Sequence, residues 1–293
     1  MRFPAVPVLA VILLLFAIGL LADEAKLSVF VSVLPQKYFV EQVGGERVEV
    51  SVMVGPGQNP ATFEPRPRQM VKLSQAQLYY RVGVPFEDVW MGRVMAANPA
   101  LSLLDARDGL RLREMEPAGG HHHDYDRHPG DEEKDPHVWL SPSQVRVMIT
   151  HLRDHLIELD PRHEKIYRAN HARFDKELVQ LEADIRRRLS HLQPRKFMVF
   201  HPSWGYFADA FNLQQIPIES EGKEPGARTL ARLMEQARVE GVKTIFVQQQ
   251  FSQAQARALA DALDAQVTYL DPLAENYPDN LRRVADIIAE GVE

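Results

Sequence analysis

Between Phe174 and Leu192 the apolar residues Phe174, Leu178, Leu181, Ile185, Leu189 and Leu192 fall three or four positions apart. That spacing puts all six on one face of a single amphipathic helix. Asp160-Pro161 stops a preceding helical stretch and supplies a proline suited to the first turn of a new one. The spacing therefore predicts a bridging helix over 160–193. At the α-helical rise it would span roughly 45 Å, the breadth of a whole domain. A chain of 293 residues with such an element past its middle must pack a folded unit at either end of it.

The flanks read alike. Before the helix, Leu27–Val33, Val48–Val54, Leu78–Val82 and Leu101–Leu104 are short apolar or β-branched runs that predict strands. Helical stretches opening near Pro35, Arg68 and Glu87 separate them, and Pro142–Leu159 reads as a further helix. After the bridge, strands are expected at Phe197–Phe200, Gln215–Ile218, Thr244–Val247 and Gln266–Leu270. Helices are expected from Ser203, Ala227, Ser252 and Tyr277. Strands alternating with helices imply mainly parallel sheets. The expected fold is α/β, with two similar parallel-sheet lobes, 26–159 and 194–293, joined by a long rigid helix. Within the first lobe, 117–135 is crowded with Gly, His, Asp and Glu; it cannot pack a core and is expected to be a loop.

Compartment is read from the first residues. Arg2, an apolar run from Val6 to Leu21, then Ala22 ahead of Asp23-Glu24 describe a secretory signal peptide over 1–22. The run falls short of the about 20 apolar residues that span a bilayer comfortably; an uncleaved anchor is the alternative. With no cysteine, the chain can form no disulfide and offers no thiol for a lipid anchor. Retention by an outer membrane, and so a periplasmic location, is expected. The net charge of -6 carries no basic excess, so no nucleic-acid partner is expected.

Three polar residues stand where open α/β sheets bind ligands, at loop starts and strand ends. His201 follows the strand Phe197–Phe200 and precedes Pro202; Asp271 follows Leu270 and precedes Pro272; His137 lies in Asp135–Pro142, just ahead of a helix. Two imidazoles and a carboxylate suit a transition metal. On spacing alone they could equally be three unrelated polar residues. His121, His122, His123 and His128 cluster in the 117–135 segment, where they could hold metal loosely or simply be solvated. His151 and His155, four apart, share a helix face with no evident third ligand, and a solvated face is the expectation. No G-x-S-x-G, H-E-x-x-H or phosphate-loop motif occurs, and no enzyme is expected. A metal-dependent hydrolase, which would use a similar His/Asp set, is the alternative from another class.

Several segments carry a resemblance. Asp135-Pro136-His137-Val138-Trp139-Leu140-Ser141-Pro142, His201-Pro202-Ser203-Trp204-Gly205-Tyr206-Phe207, Glu221-Gly222-Lys223-Glu224-Pro225, Val247 to Ser252, Asp271-Pro272-Leu273 and the loop from Pro56-Gly57 to Glu64-Pro65 occur in order. Together they resemble the zinc and manganese solute-binding proteins of ABC importers, the cluster A-I family. The resemblance implies a metal site in the interlobe cleft, with His137, His201 and Asp271 as ligands. It implies zinc as the transported ligand, manganese or another divalent metal being the alternative, since manganese-type members tend to place a carboxylate where His201 stands. It implies a membrane permease as partner and a monomeric binding protein. Zinc-type members carry a His- and acid-rich loop where 117–135 lies. Some relatives are described as adhesins, for which this sequence offers no argument. The family's loop has a histidine after its proline; here Pro60 is followed by Ala61, which cannot ligate. The fourth ligand is thus left to water, a nearby acceptor or the His-rich loop.

Overall fold

The computed structural model describes residues 25–116, 134–193, 195–219, 226–251 and 253–292. The leader, the His-rich segment with His121, His122, His123 and His128, residues 221–225 and Ser252 lie outside the described residues. Two four-stranded, all-parallel sheets form the framework. The first contains β1 (Leu27–Val31), β2 (Val48–Val52), β3 (Leu78–Arg81) and β4 (Ser102–Asp105), in the order β2-β1-β3-β4. The second repeats the order as β6-β5-β7-β8, from β5 (Lys196–Val199), β6 (Gln214–Pro217), β7 (Thr244–Val247) and β8 (Gln266–Tyr269). All eight expected strands form, with ends shifted by one or two residues.

Helices α1 (Leu34–Gly44), α2 (Pro67–Leu73), α3 (Pro85–Ala97) and α4 (Pro142–Leu159) belong to the first half. Helices α6 (Gly205–Phe211), α7 (Ala227–Val239), α8 (Gln253–Leu263) and α9 (Tyr277–Val292) belong to the second. Between them runs α5 (Glu164–Arg188), opened by a 3-10 turn over Pro161–His163. Its 25 residues correspond to about 37 Å, shorter than the apolar spacing suggests. Leu189 and Leu192 are fully packed, but Leu189 is the C-cap, its N–H closing the last helical bond to Ile185 (3.0 Å), and Leu192 lies in the turn beyond. Tyr167, Phe174, Leu178, Leu181 and Ile185 form the buried face. Burying these five contributes on the order of 10 kcal/mol, an upper figure because the unfolded chain is already partly collapsed.

That face packs with residues of both halves in one apolar cluster, beside a second cluster confined to the second half. Phe174 meets Phe39 of α1 at 6.1 Å and Tyr38 at 5.6 Å. Phe39 meets Tyr277 of α9 edge-on at 4.8 Å, a direct aromatic contact between the halves. At the other end of the bridge, Asp160 accepts hydrogen bonds from His163 Nδ1 (2.8 Å) and from the Tyr167 hydroxyl (2.7 Å). Burial pushes its pKa up, but these bonds outweigh it and hold the carboxyl below its ordinary range. A depressed carboxylate stabilises the fold above its unfolded pKa of about 3.9 and loses that contribution as pH falls through the lower folded value. Asp160→Ala is therefore expected to lower the urea midpoint at pH 7 and to have a shrinking effect below about pH 4. An effect independent of pH would locate its cause elsewhere.

Among the described residues no helix is long and apolar enough to cross a membrane.

Candidate metal centre

In each sheet the chain winds outward in both directions from a central pair, β1 and β3 or β5 and β7. Loops diverge above the carboxyl ends of such a pair and leave a crevice. Here the two crevices face each other and enclose a cavity of about 540 Å³. From the first half, Ala61 and Thr62 follow β2, and Val84 and Pro85 follow β3. Fully buried Glu87 fixes that second turn by accepting the N–H groups of Val82 and Gly83, each at 2.9 Å. From the second half come His201 and Ser203 after β5, Phe251 after β7, and Pro272 and Leu273 after β8.

His137 enters the cavity from the segment ahead of α4. Its backbone N–H donates to Asp135 Oδ1 (2.9 Å), closing an Asx turn. The 3-10 turn Val138–Leu140 then buries three apolar side chains and locks the segment down. Trp139, with no exposure, donates its indole N–H to the Pro272 carbonyl of the opposite half (2.8 Å). His201 is gripped through its backbone by buried Gln248, whose amide donates to the His201 carbonyl (3.0 Å) and to Ser203 Oγ (3.1 Å). Phe251 stacks on the His201 ring at 4.6 Å and 21°.

The structure brings the two histidines together, with ring centroids 5.3 Å apart. A tetrahedral zinc bound by two imidazole nitrogens at about 2.0–2.1 Å would place the centroids on the order of 5 Å apart. Each ring is also oriented. His137 Nδ1 lies 2.7 Å from Asp135 Oδ1, and His201 Nδ1 makes a short hydrogen bond with Glu219 Oε1. Both carboxylates are buried, at 0% and 2% exposure. An ionised carboxylate only accepts, so Nδ1 carries the proton and Nε2 keeps its lone pair. This is the arrangement in which a metal-binding histidine is held by an outer carboxylate. Burial lowers the pKa of His201, against the pull of Glu219, and so favours the neutral ring a metal needs.

The third candidate stands apart. Asp271 turns its Oδ1 to the backbone N–H of Leu273 (2.9 Å), while Asn280 of α9 donates to its carbonyl (2.7 Å). Its neighbours Pro272 and Leu273 line the cavity. Among the described residues no group of three His, Asp or Glu side chains is close enough to hold a metal as it stands. The position where the family's histidine was expected is Ala61, exposed on the cavity wall, its N–H bonded to Asn59 Oδ1 (2.9 Å). The helix pair His151 and His155 forms no site: His155 Nε2 is bonded to Ser102 Oγ at 2.7 Å. Glu219, Gln248 and Phe251 as supports were not foreseen from the sequence. Asp135 was legible only as part of its motif.

The family model for periplasmic component A of zinc-uptake complexes, ZnuA, matches residues 29–291. The zinc-binding lipoprotein AdcA of Streptococcus pneumoniae (strain R6) is 27% identical over 263 residues, covering 85% of this chain and 50% of AdcA. The chain thus spans about half the length of that relative. A crystal structure of ZnuA superposes with a TM-score of 0.84 at 40% identity, covering 92% of this chain and all of the other. A crystal structure of a 138–173 deletion mutant of ZnuA with zinc bound gives 0.83 at 40% identity, covering 92% and 98%.

Proposed function

Because the chain belongs to the ZnuA family of periplasmic zinc-uptake components, we propose that it captures zinc outside the cytoplasmic membrane and delivers it to the permease of an ABC importer. The observation that carries this reading is the pair of histidines, one from each half, whose Nδ1 atoms are tied to buried carboxylates. Zinc takes His137 and His201 through Nε2. Asp271 joins through Oδ2, keeping Oδ1 on Leu273. Ala61 offers no donor, so water completes a tetrahedral shell. The ion is cargo and leaves unchanged; the protein is a transport component and not an enzyme. It works in the periplasm after loss of 1–22, as a monomer, with the permease and the metal as partners and no nucleic acid.

Zinc is preferred over manganese, because two imidazoles and one carboxylate suit zinc, whereas manganese favours carboxylate and water oxygens. Metal-free protein offered equimolar zinc and manganese is expected to retain mostly zinc by elemental analysis. Retention of mostly manganese would overturn the choice of metal. Retention of neither would overturn the capture role.

The segments 26–159 and 194–293 act as lobes joined by 160–193, and they close little on binding. Support comes from α5 packed into both halves and from the contact of Phe39 with Tyr277 across them. Solution X-ray scattering is expected to give nearly the same radius of gyration with and without zinc. A large fall on binding would contradict a rigid bridge.

A further inference from the structure

We propose that Arg113 is a positioning residue for metal capture. It ties the placement of the second half to the orientation of His137. This rests on the metal-capture reading above.

Arg113 lies in the first half, beyond β4, and its backbone pairs with that of Asp135. The Asp135 N–H donates to the Arg113 carbonyl (3.0 Å). Tyr206 of α6 inserts its hydroxyl at this pairing. It accepts the Arg113 N–H (3.0 Å) and donates to the Asp135 carbonyl (3.0 Å). The guanidinium is mostly buried and meets carboxylates from both halves. It pairs with Glu116, with Asp135 (Nη1 to Oδ2, 3.5 Å) and with Asp209 of α6 (Nε to Oδ2, 3.2 Å). It also lies over the Tyr206 ring, 5.8 Å from its centroid.

Two further observations indicate that this placement is built in. A Cβ on Gly205 would come within 1.1 Å of Arg113 Nη1, so the guanidinium occupies the space that glycine leaves at the start of α6. Asp135 is wholly buried, and its Oδ1 is committed to His137 twice, through the backbone N–H and through Nδ1. Its Oδ2 has no hydrogen-bond partner among the described residues. A buried carboxylate in that position needs a compensating cation, and Arg113 Nη1 is the one it faces. Without it, Asp135 would turn toward water or other donors and release His137 Nδ1. The chain of contacts runs from α6 through Arg113 and Asp135 to the His137 ring.

The test compares full-length Arg113→Met, Arg113→Lys and Gly205→Ala with the parent protein. Three quantities are measured: zinc affinity by chelator competition, ring 15N shifts of His137 in histidine-labelled metal-free protein, and thermal midpoint. Arg113→Met is expected to weaken zinc binding about tenfold or more, as loss of an outer partner does. The His137 shifts should lose the signature of a protonated Nδ1, and those of His201 should keep it. Arg113→Lys keeps the charge without the fork and is expected to recover part of both. Gly205→Ala should reproduce the loss with Arg113 still present, because the added methyl displaces the guanidinium. A lower thermal midpoint with parental affinity and parental His137 shifts would reduce Arg113 to a purely structural role and overturn the proposal. If Arg113→Met does not fold, the other two variants decide. If the parent protein itself binds no zinc, the capture reading has failed, and the ring shifts still judge the positioning role.

Discussion

Zinc affinity is expected to fall by at least tenfold when His201 is replaced by alanine, and likewise for His137. Each loss corresponds to about 1.4 kcal/mol or more. The reason is geometric. The two rings stand 5.3 Å apart on opposite halves, each with one nitrogen occupied by a buried carboxylate. Neither can substitute for the other, because removing one leaves a single imidazole and Asp271, too few protein donors for a zinc site. His201→Ala also leaves Glu219 buried without its partner, so the variant should lose stability as well as affinity. Comparing His201→Ala with Phe251→Ala separates ligation from stacking. Loss of the stacked ring lets the imidazole wander but keeps it as a ligand, so its effect should be the smaller. Calorimetry on the purified variants checks this. Unchanged affinity in both histidine variants would exclude the cleft as the site.

Trp139→Ala is expected to be among the most destabilising single changes in the chain, on the order of 3–5 kcal/mol. Trp139 is fully buried and its indole N–H is hydrogen-bonded to the Pro272 carbonyl across the halves. Truncation opens a large cavity and strands that carbonyl. Trp139→Phe fills most of the volume but still removes the donor, and should cost about 1–3 kcal/mol. Urea unfolding of both variants gives the comparison. An equal loss in the two would mean that the cross-lobe hydrogen bond, and not the volume, carries the effect.

The framework was legible because its signals are local. Runs such as Val29–Val31 and Thr244–Val247 are buried in parallel sheets, where both faces need apolar residues. The spacing of Phe174, Leu178, Leu181 and Ile185 marks the face that α5 buries. The same spacing misled at the end of the bridge, because Leu192 continues the apolar face after the helix has been capped at Leu189. Periodicity reports burial, and burial outlasts the helical hydrogen bonds.

The site was less legible. His137 and His201 could be singled out from the prolines and motif segments beside them. That their rings meet depends on how two sheets face each other, which no spacing encodes. The support of His201 by Glu219 joins the ends of β5 and β6, 18 positions apart. Arg113 pairs with Asp135 and abuts Gly205 across the halves. Asp271 lies two residues past the end of β8, and its carboxylate accepts the Leu273 N–H, a local competition that sequence position does not reveal.

The proposed site holds zinc between His137 and His201 and not on the histidines at 121–123 and 128. X-ray absorption at the zinc edge, on protein loaded with one equivalent, addresses it directly. Nitrogen and oxygen neighbours at about 2.0 Å, with the outer-sphere signature of two imidazoles, are expected. That signature should disappear from the doubly substituted His137→Ala/His201→Ala protein. An unchanged two-imidazole spectrum in the double variant would place the metal elsewhere and overturn the cleft as its site.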